Sequence, residues 1–271
     1  MTDNEFFLGA IYSSSSIPDA IDKYVEYLWS KADGKSYLHA NKLKEYRELF
    51  SPNITLKLRS IFDGCYNELS ENLPELRFRI SARRKSLISL EQKIRKNLSE
   101  NKSLDLIRDM LGARIVLLNG TEKDCYKVMD LLIGLCLING YTICEENLAN
   151  TVSPFIAANK EKYLFLNQFY YGLTDYIDKP KDNGYKSLHV VFKNRAGRFF
   201  EVQVRTFEMH VAAAIGCSNH EDYKKEKYEE IKFDGEKIDM PGYYCPLPSG
   251  GSMDLIGLQY SLELLNRNKT F

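Results

Sequence analysis

The sequence predicts an α+β fold in which a mixed β-sheet is flanked by helices and preceded by an N-terminal helical lead. The first third is dominated by helix signals: SIPDAIDKYVEYLW places Pro18 near a helix start, with Ile17, Ile21, Tyr24 and Leu28 along one face. After Pro74, short apolar runs alternate with helical segments, as is typical of an α+β domain. We therefore expect three regions, which are a helical region (1–75), a core (76–230) and a C-terminal extension (231–271).

The individual elements follow from apolar periodicity. Ser51 and Pro52 open a second long helix, whose apolar residues recur every three or four positions. In the core, the patterns predict strands at ELRFRI (75–80), GARIVLL (112–118) and GYTICEE (140–146), and helices at SLISLEQKIRKNL (86–98), 122–139 and about 207–226. Residues 182–206 predict a hairpin, whereas 148–174 give no clear pattern.

Composition limits the class of protein. Lys plus Arg and Asp plus Glu are both 37, so any affinity for phosphate or nucleic acid must come from local clusters. The six cysteines show no paired short spacing of the zinc or redox kind, which favours buried, reduced thiols; they are Cys65, Cys125, Cys136, Cys144, Cys217 and Cys245. No stretch approaches the roughly 20 apolar residues of a membrane span, and the start lacks a signal pattern. We expect a cytoplasmic protein without a membrane partner.

A basic stripe is predicted near residue 90. On a helix, the four-residue intervals between Lys85, Ser89 and Lys93 place these side chains along one face, with Arg83 just upstream. Like charges on one stripe repel unless an anion lies there. The stripe is either a solvated basic face or a cradle for a polyphosphate.

Two carboxylates are candidate metal ligands. Asp109 lies five residues ahead of Arg114, at the entrance to an apolar strand. Alone, it could equally be a helix-end charge or a partner for Arg108. Together with Glu201 from a neighbouring strand it could hold Mg²⁺, and Glu201 could also take a proton from an attacking hydroxyl.

The predicted hairpin carries an unusual polar face. Glu201, Gln203 and Arg205 alternate with apolar residues along its second strand, which could simply face solvent. Just before the first strand, an Asn-Gly turn presents Tyr185 and Lys186, and His189 follows on that strand. The Tyr185 ring could stack on a nucleobase, whereas His189 could be a structural histidine.

Four separated motifs resemble the synthetase domain of the RelA/SpoT family, the enzymes that make the alarmone (p)ppGpp. They are the Arg-x-Lys-x3-Ser-x3-Lys pattern at Arg83, Lys85, Ser89 and Lys93, then RDMLGARI (108–115), NGYKSLH (183–189) and EVQVRT (201–206). The resemblance covers roughly residues 76–226. It implies a nucleotidyltransferase-like synthetase core and a pyrophosphokinase that uses Mg²⁺ to move the β,γ-pyrophosphate of ATP to the 3′-hydroxyl of GDP or GTP.

The resemblance also implies a role for each matching residue. Arg83, Lys85 and Lys93 would bind the ATP phosphates, and Arg114 would pack against adenine. Ser89 would also belong to the ATP-binding residues. Asp109 and Glu201 would hold the metal, and Glu201 would activate the acceptor hydroxyl. Tyr185 would stack on the acceptor base, with Lys186, His189 and Gln203 nearby.

Alternative functions stay open. The family pattern matches at His210, His220, Tyr223 and Lys224, but Ala214 stands where Glu is usual and Glu221 where Trp is usual. Similar single-domain proteins include toxins that pyrophosphorylate the 3′ end of tRNA, so tRNA is an alternative acceptor and an antitoxin an alternative partner. An inactive nucleotide-binding module is a third hypothesis. No His-Asp hydrolase motif is present, so we expect synthesis without degradation; self-association is also left open.

Overall fold

The computed structural model describes residues 2–51, 63–144, 152–215 and 243–244. Its helices are α1 (Asp3–Tyr12), α2 (Ile17–Ser30), α3 (Gly34–Glu48), α4 (63–72), α5 (Leu87–Ser99), α6 (Glu122–Ile138), α7 (Pro154–Ala158), α8 (Leu164–Gln168) and α9 (Phe207–Ile215). Its strands are β1 (Phe78–Arg84), β2 (Leu111–Leu117), β3 (Thr142–Ile143), β4 (Leu173–Asp175), β5 (Leu188–Lys193), β6 (Phe199–Thr206) and β7 (Tyr243–Tyr244). The predicted α+β class with a helical lead is confirmed.

The chain divides into two compact units. The first comprises residues 1–61 and 84–112, and the second comprises 62–83 and 113–271. These units group residues by spatial proximity, so the three sequence regions proposed above stay a prediction. None of the helices among the described residues is long and apolar enough to cross a membrane.

The first unit is a helical assembly built on capped helices. The side chains of Ser16, Asp33 and Ser86 each accept a backbone N–H in the first turn of the helix that follows. Helix α3 packs against both α2 and α5. The apolar faces meet in a core that includes Ile21, Leu28, Leu43, Leu90 and Ile94, all buried. The side-chain spacing that predicted α2 is thus explained by burial against neighbouring helices.

The second unit contains a seven-stranded sheet with the order β3-β5-β6-β2-β1-β7, and β4 pairs with β5 on its own. Helix α6 packs against β5 and β6. Its buried face includes Val128, Met129, Leu132 and Ile133. The short helices α7 and α8 lie in the stretch 148–174, for which the sequence showed no clear pattern. The pattern was missing because a helix of five residues is too short to show periodicity.

The predicted hairpin is confirmed, and its register explains the alternation. Val190 lies opposite Val202, and Phe192 lies opposite Phe200, all of them buried. His189 lies opposite Gln203, and Val191 lies opposite Glu201. Opposed residues share a face of the sheet, so the imidazole, the amide and the carboxylate project from the same side. The turn closes at Gly197, whose φ of +79° suits glycine.

Several predicted boundaries differ from the structure. The strand expected at 75–80 begins at Phe78 and continues to Arg84, so Arg83, which was expected just upstream of the helix, lies in β1. Within the strand expected at 140–146, β3 spans Thr142–Ile143, and residues 145–146 lie outside the described residues. Helix α9 is described to Ile215, and its predicted continuation to 226 lies outside the described residues, as does the start of the helix predicted from Ser51.

The described cysteines agree with the prediction of reduced thiols. Cys125, Cys136 and Cys144 are buried, Cys65 is half-buried, and these four thiols form no disulfide. Burial raises the pKa of the Cys65 thiol above its ordinary value. Cys217 and Cys245 lie outside the described residues. A structural role for these thiols follows, since buried apolar surroundings disfavour the reactive thiolate.

Candidate active site

The basic segment at the start of α5 is not one helical stripe. Ser86 caps the helix, which begins at Leu87, so Lys85 lies in the connection between β1 and α5. The prediction that Lys85 shares a helical face with Ser89 and Lys93 is therefore wrong, because the strand extends further than the apolar pattern suggested. The two lysine ammonium groups nevertheless converge on one side chain.

That side chain is Asp109. The Nζ of Lys85 lies 2.7 Å from Asp109 Oδ2, and the Nζ of Lys93 lies 2.9 Å from Oδ1. Burial disfavours the charged carboxylate, but the two ammonium groups outweigh burial and hold the pKa of Asp109 well below its ordinary value. Asp109 is thus ionised at neutral pH, and a net charge of +1 remains on these three groups.

The other predicted ATP-binding residues are Arg83, Ser89 and Arg114, which lie near the cluster residues in sequence. Ser89 is bound at the helix start: its N–H donates to Ser86 Oγ at 3.2 Å, and its Oγ accepts from Ser86 Oγ at 2.7 Å. Arg114 lies in β2 and is half-buried. The backbone of Arg83 lies in β1, while its side chain is outside the described part of the chain.

A second cluster lies on the polar face of the hairpin, in the second unit. The hydroxyl of Tyr185 is 2.9 Å from His189 Nε2, and His189 Nδ1 is 2.9 Å from Glu201 Oε1. The other carboxylate oxygen of Glu201 accepts the Gln203 side-chain amide at 2.5 Å. Tyr185, His189, Glu201 and Gln203 thus form one continuous hydrogen-bonded chain, which we call the hairpin relay.

Aromatic contacts surround the relay. The Tyr176 ring is edge-on to His189 at 5.2 Å and to Tyr185 at 5.9 Å between centroids. Lys181 Nζ lies over both tyrosine rings, 4.5 Å from the centroid of Tyr176 and 5.1 Å from that of Tyr185. Tyr176 and Lys181 were not predicted from the sequence. Their position in the aromatic, basic segment just before the Asn-Gly turn was the available signal.

Lys186 is not part of the relay. Its Nζ pairs with Glu122 Oε1 at 2.9 Å, at the start of α6. Both residues line an open pocket of about 510 Å³, together with Gly120, Thr121, Gly184, Thr206, Glu208, Met209 and Ala212. The sequence placed Lys186 beside Tyr185 and His189, but adjacent residues at a strand entrance point in different directions.

The end of β6 carries a further polar contact. The guanidinium of Arg205 donates to His210 Nδ1 at 2.6 Å. Burial lowers the pKa of His210 to about 3, and nearby arginine charges, first that of Arg205, act in the same direction. His210 is therefore neutral and accepts at Nδ1. The other residues compared with the family pattern lie outside the described part of the chain; they are His220, Glu221, Tyr223 and Lys224. The side chain of Ala214 is also outside it.

The residues present fit a magnesium ion in their chemistry. Asp109 is an ionised carboxylate with a side chain that is 26% exposed. Among the described residues there is no group of three or more His, Cys, Asp or Glu that could hold a metal. Mg²⁺ does not need such a group, because it usually takes one or two carboxylates and completes its shell with water and substrate phosphates. Asp109 and Glu201 lie in different units, and their pairing at one metal stays a prediction.

The fold and the two clusters define an α+β protein with a cationic cluster suited to phosphate groups and a hydrogen-bonded carboxylate on a hairpin. The profile described as "Region found in RelA / SpoT proteins" matches residues 82–228, more than half of the chain. The chain therefore belongs to the RelA/SpoT family. The family assigned at the sequence level from four motifs is confirmed.

Curated relatives agree with this assignment. The chain is 30% identical over 192 residues to the probable chloroplastic GTP diphosphokinase RSH2 of Oryza sativa subsp. japonica, which covers 70% of this chain and 22% of the relative. It is 32% identical over 146 residues to the probable chloroplastic GTP diphosphokinase RSH3 of the same organism, and this match covers 54% of this chain and 16% of the relative. The matches thus span about a fifth of these relatives. The small alarmone synthetase 1 of Bacillus subtilis bound to pppGpp is 20% identical, with a TM-score of 0.44, over 67% of this chain and 83% of that one.

Proposed function

We propose that the protein is an ATP-dependent pyrophosphokinase that transfers the β,γ-pyrophosphate of ATP to the 3′-hydroxyl of GDP or GTP, which makes (p)ppGpp. Membership of the RelA/SpoT family supports the class of reaction. The observation that carries the proposal is the hairpin relay, in which Glu201 is held by His189 and Gln203 in a position suited to a general base.

The donor side of the reaction belongs to the cluster of Lys85, Lys93 and Asp109. Two ammonium groups can pair with phosphate oxygens and neutralise the charge that shifts during transfer. Both lysines are already held by Asp109, so little side-chain entropy remains to be lost when ATP binds. Mg²⁺ bound by Asp109 and Glu201 would neutralise further phosphate charge and help to align the polyphosphate.

On the acceptor side, the 3′-oxygen attacks the β-phosphorus of ATP. A bond forms between these two atoms, the bond from the β-phosphorus to the oxygen bridging to the α-phosphate breaks, and AMP leaves. The proton of the 3′-hydroxyl passes to a carboxylate oxygen of Glu201. His189 and Gln203 orient that carboxylate, and the ring of Tyr185 provides a stacking surface for the acceptor base.

Two further parts of the proposal rest on the sequence. We propose synthesis without hydrolysis for this chain, because the 271 residues contain no His-Asp hydrolase motif. We also propose a cytoplasmic location, since ATP and guanosine nucleotides are available there. We propose an antitoxin, or a second copy of the chain, as a protein partner.

The acceptor is identified by a labelling experiment. Purified protein is incubated with Mg²⁺ and ATP labelled at the γ-phosphate, and GDP, GTP, AMP and deacylated tRNA are offered in parallel. Label in a product formed from GDP or GTP is the expected result. Label that migrates with tRNA, and with none of the nucleotides, would overturn the proposed acceptor in favour of tRNA modification.

A variant makes the experiment specific to the proposed site. Glu201→Gln keeps the size of the side chain and an acceptor for the contact from Gln203, but it cannot take a proton. We expect loss of transfer with little change in folding. Full transfer by the variant would remove Glu201 from the proposed role, and no transfer by either protein to any acceptor would favour the inactive nucleotide-binding module.

A further inference from the structure

Helix α5 carries a buried carboxylate that the proposed reaction does not use. Glu91 lies between Ser89 and Lys93 in sequence, and its side chain is only 2% exposed. A charged side chain at such a position is uncommon, because removal of a carboxylate from water costs several kcal/mol unless hydrogen bonds replace the water.

The hydrogen bonds come from two helices of the helical lead and from α5 itself. The hydroxyl of Tyr24, on α2, donates to Glu91 Oε1 at 3.0 Å, and His39 Nε2, on α3, lies 2.5 Å from Oε2. Arg95 Nε donates to Oε1 at 2.6 Å, and the Arg95 guanidinium also donates to the Tyr24 hydroxyl at 3.0 Å. Both carboxylate oxygens of Glu91 are therefore occupied, and three helices meet at one group.

An apolar side chain would fill this space without the desolvation cost, so stability alone does not account for the carboxylate. Hydrogen bonds differ from apolar contacts in that they are directional. Because Tyr24 on α2 and His39 on α3 bind the carboxylate of Glu91 from two other helices, these contacts set the rotation of α5 about its axis. Apolar side chains, by contrast, tolerate repacking.

The rotation of α5 matters for the donor cluster. Successive residues of an α-helix are about 100° apart, so Glu91 and Lys93 project about 200° apart, on nearly opposite sides. When Glu91 is fixed between α2 and α3, Lys93 is directed outward, where its Nζ reaches Asp109 at 2.9 Å. A small rotation of α5 would move the ammonium group of Lys93 away from that position.

The helical lead also holds the segment that precedes α5. The buried hydroxyl of Tyr46, on α3, donates to the backbone carbonyl of Lys85. Arg84 Nε donates to the carbonyl of Leu49 at 2.8 Å, just after α3. Both lysines of the donor cluster are thus attached to the helical lead, Lys85 through its backbone and Lys93 through the helix that carries it.

We propose that Glu91 is a positioning residue, through which the helical lead sets the orientation of α5 and so presents Lys93 to the phosphates of ATP. The inference rests on the proposed function for the identity of the ligand. It assigns a role to residues 2–51, namely that they complete the donor site without contacting the substrate.

Steady-state kinetics of Glu91→Met and Glu91→Gln test this role. Methionine fills the space but makes none of the hydrogen bonds, whereas glutamine keeps an acceptor for Tyr24 and Arg95. We expect Glu91→Met to raise the KM for ATP about tenfold with the KM for the acceptor unchanged, and Glu91→Gln to restore most of the affinity. Asp22→Asn is the matched control, because Asp22 also joins α2 to α3, through Arg47, but on the exposed surface.

A second measurement does not depend on the reaction. The rate at which an amine-selective reagent acylates Lys93 is followed by mass spectrometry without ATP, with Lys102 as an exposed internal reference. We expect several-fold faster acylation of Lys93 in Glu91→Met. If wild type lacks transferase activity, the proposed function fails, but this rate still tests the positioning role.

A folded Glu91→Met protein with unchanged acylation of Lys93 would overturn the proposal, and so would equal rises of the KM for ATP and for the acceptor. If Glu91→Met does not fold, Tyr24→Phe takes its place, because it removes one hydroxyl and keeps the ring packing. A selective change in ATP affinity or Lys93 acylation in Tyr24→Phe supports the proposal, and wild-type values for both overturn it.

Discussion

Lys93 Nζ lies 2.9 Å from Asp109 Oδ1, so a predicted phosphate ligand and a predicted metal ligand are bound to each other. Lys85 contacts the second oxygen of the same carboxylate. In this arrangement the carboxylate separates two ammonium groups that would otherwise repel each other. Binding of a magnesium–ATP complex would exchange these contacts, because the lysines can pair with phosphate oxygens while the carboxylate turns to the cation.

Lys93→Ala should weaken the use of ATP. A charge-assisted contact to phosphate is worth about 1.5–3 kcal/mol, which corresponds to a roughly tenfold to 150-fold rise in the KM for ATP. Initial rates at varied ATP measure the effect. Lys96→Ala is the control, because Lys96 lies on the same helix, is 41% exposed and pairs loosely with Glu100 at 3.7 Å. Equal kinetics for the two variants would indicate that the basic residues form a solvated surface and do not bind ATP.

Asp109→Asn should raise the magnesium concentration needed for transfer or abolish transfer, because a neutral amide is a weak ligand for Mg²⁺. The measurement is the transfer rate as a function of magnesium concentration. Asp105→Asn serves as the control, since Asp105 is exposed and bonded to Ser103 in the same unit. Full activity of the wild type in excess chelator would contradict the role of the metal.

Tyr185→Ala should weaken acceptor binding by roughly 1–3 kcal/mol through loss of a stacking surface. Tyr185→Phe keeps the ring and removes only the hydroxyl that contacts His189. We therefore expect the KM for the acceptor to rise about fivefold or more in Tyr185→Ala, and to change much less in Tyr185→Phe. A similar loss in both variants would assign the effect to the hydrogen-bonded relay and not to stacking.

The stability of the protein should depend on pH through His210. The pKa of His210 is about 3 in the folded protein, below its ordinary value of 6.5, so between these values the unfolded chain binds a proton that the folded protein does not. Stability should therefore fall as pH falls below 6.5, by up to about 1.4 kcal/mol per pH unit from this group. Urea unfolding at pH 7.5 and 5.5 should show a smaller loss for His210→Gln than for wild type. An equal loss in both proteins would exclude His210 as the source.

The elements were predictable because their signals are local. The spacing of four and then three residues between Ile17, Ile21 and Tyr24 is typical of a helix with one buried face, and the alternation of Phe200, Val202 and Val204 is typical of a strand. The candidate site residues were predicted in the same way, since the motifs are short and each retains its order along the chain. The family followed from four such motifs taken together.

The contacts among those residues were not predictable, because they join positions far apart in sequence. Lys85 and Asp109 are 24 residues apart, and His39 and Glu91 are 52 apart. Local propensity places each side chain on a face of its own element, but the packing of several elements determines which partner it meets. For that reason the sequence pattern could predict Asp109 as a metal ligand and Lys93 as a phosphate ligand, but not that the two side chains pair in the folded chain. Likewise, only the tertiary structure shows that the buried carboxylate of Glu91 joins α5 to the helical lead.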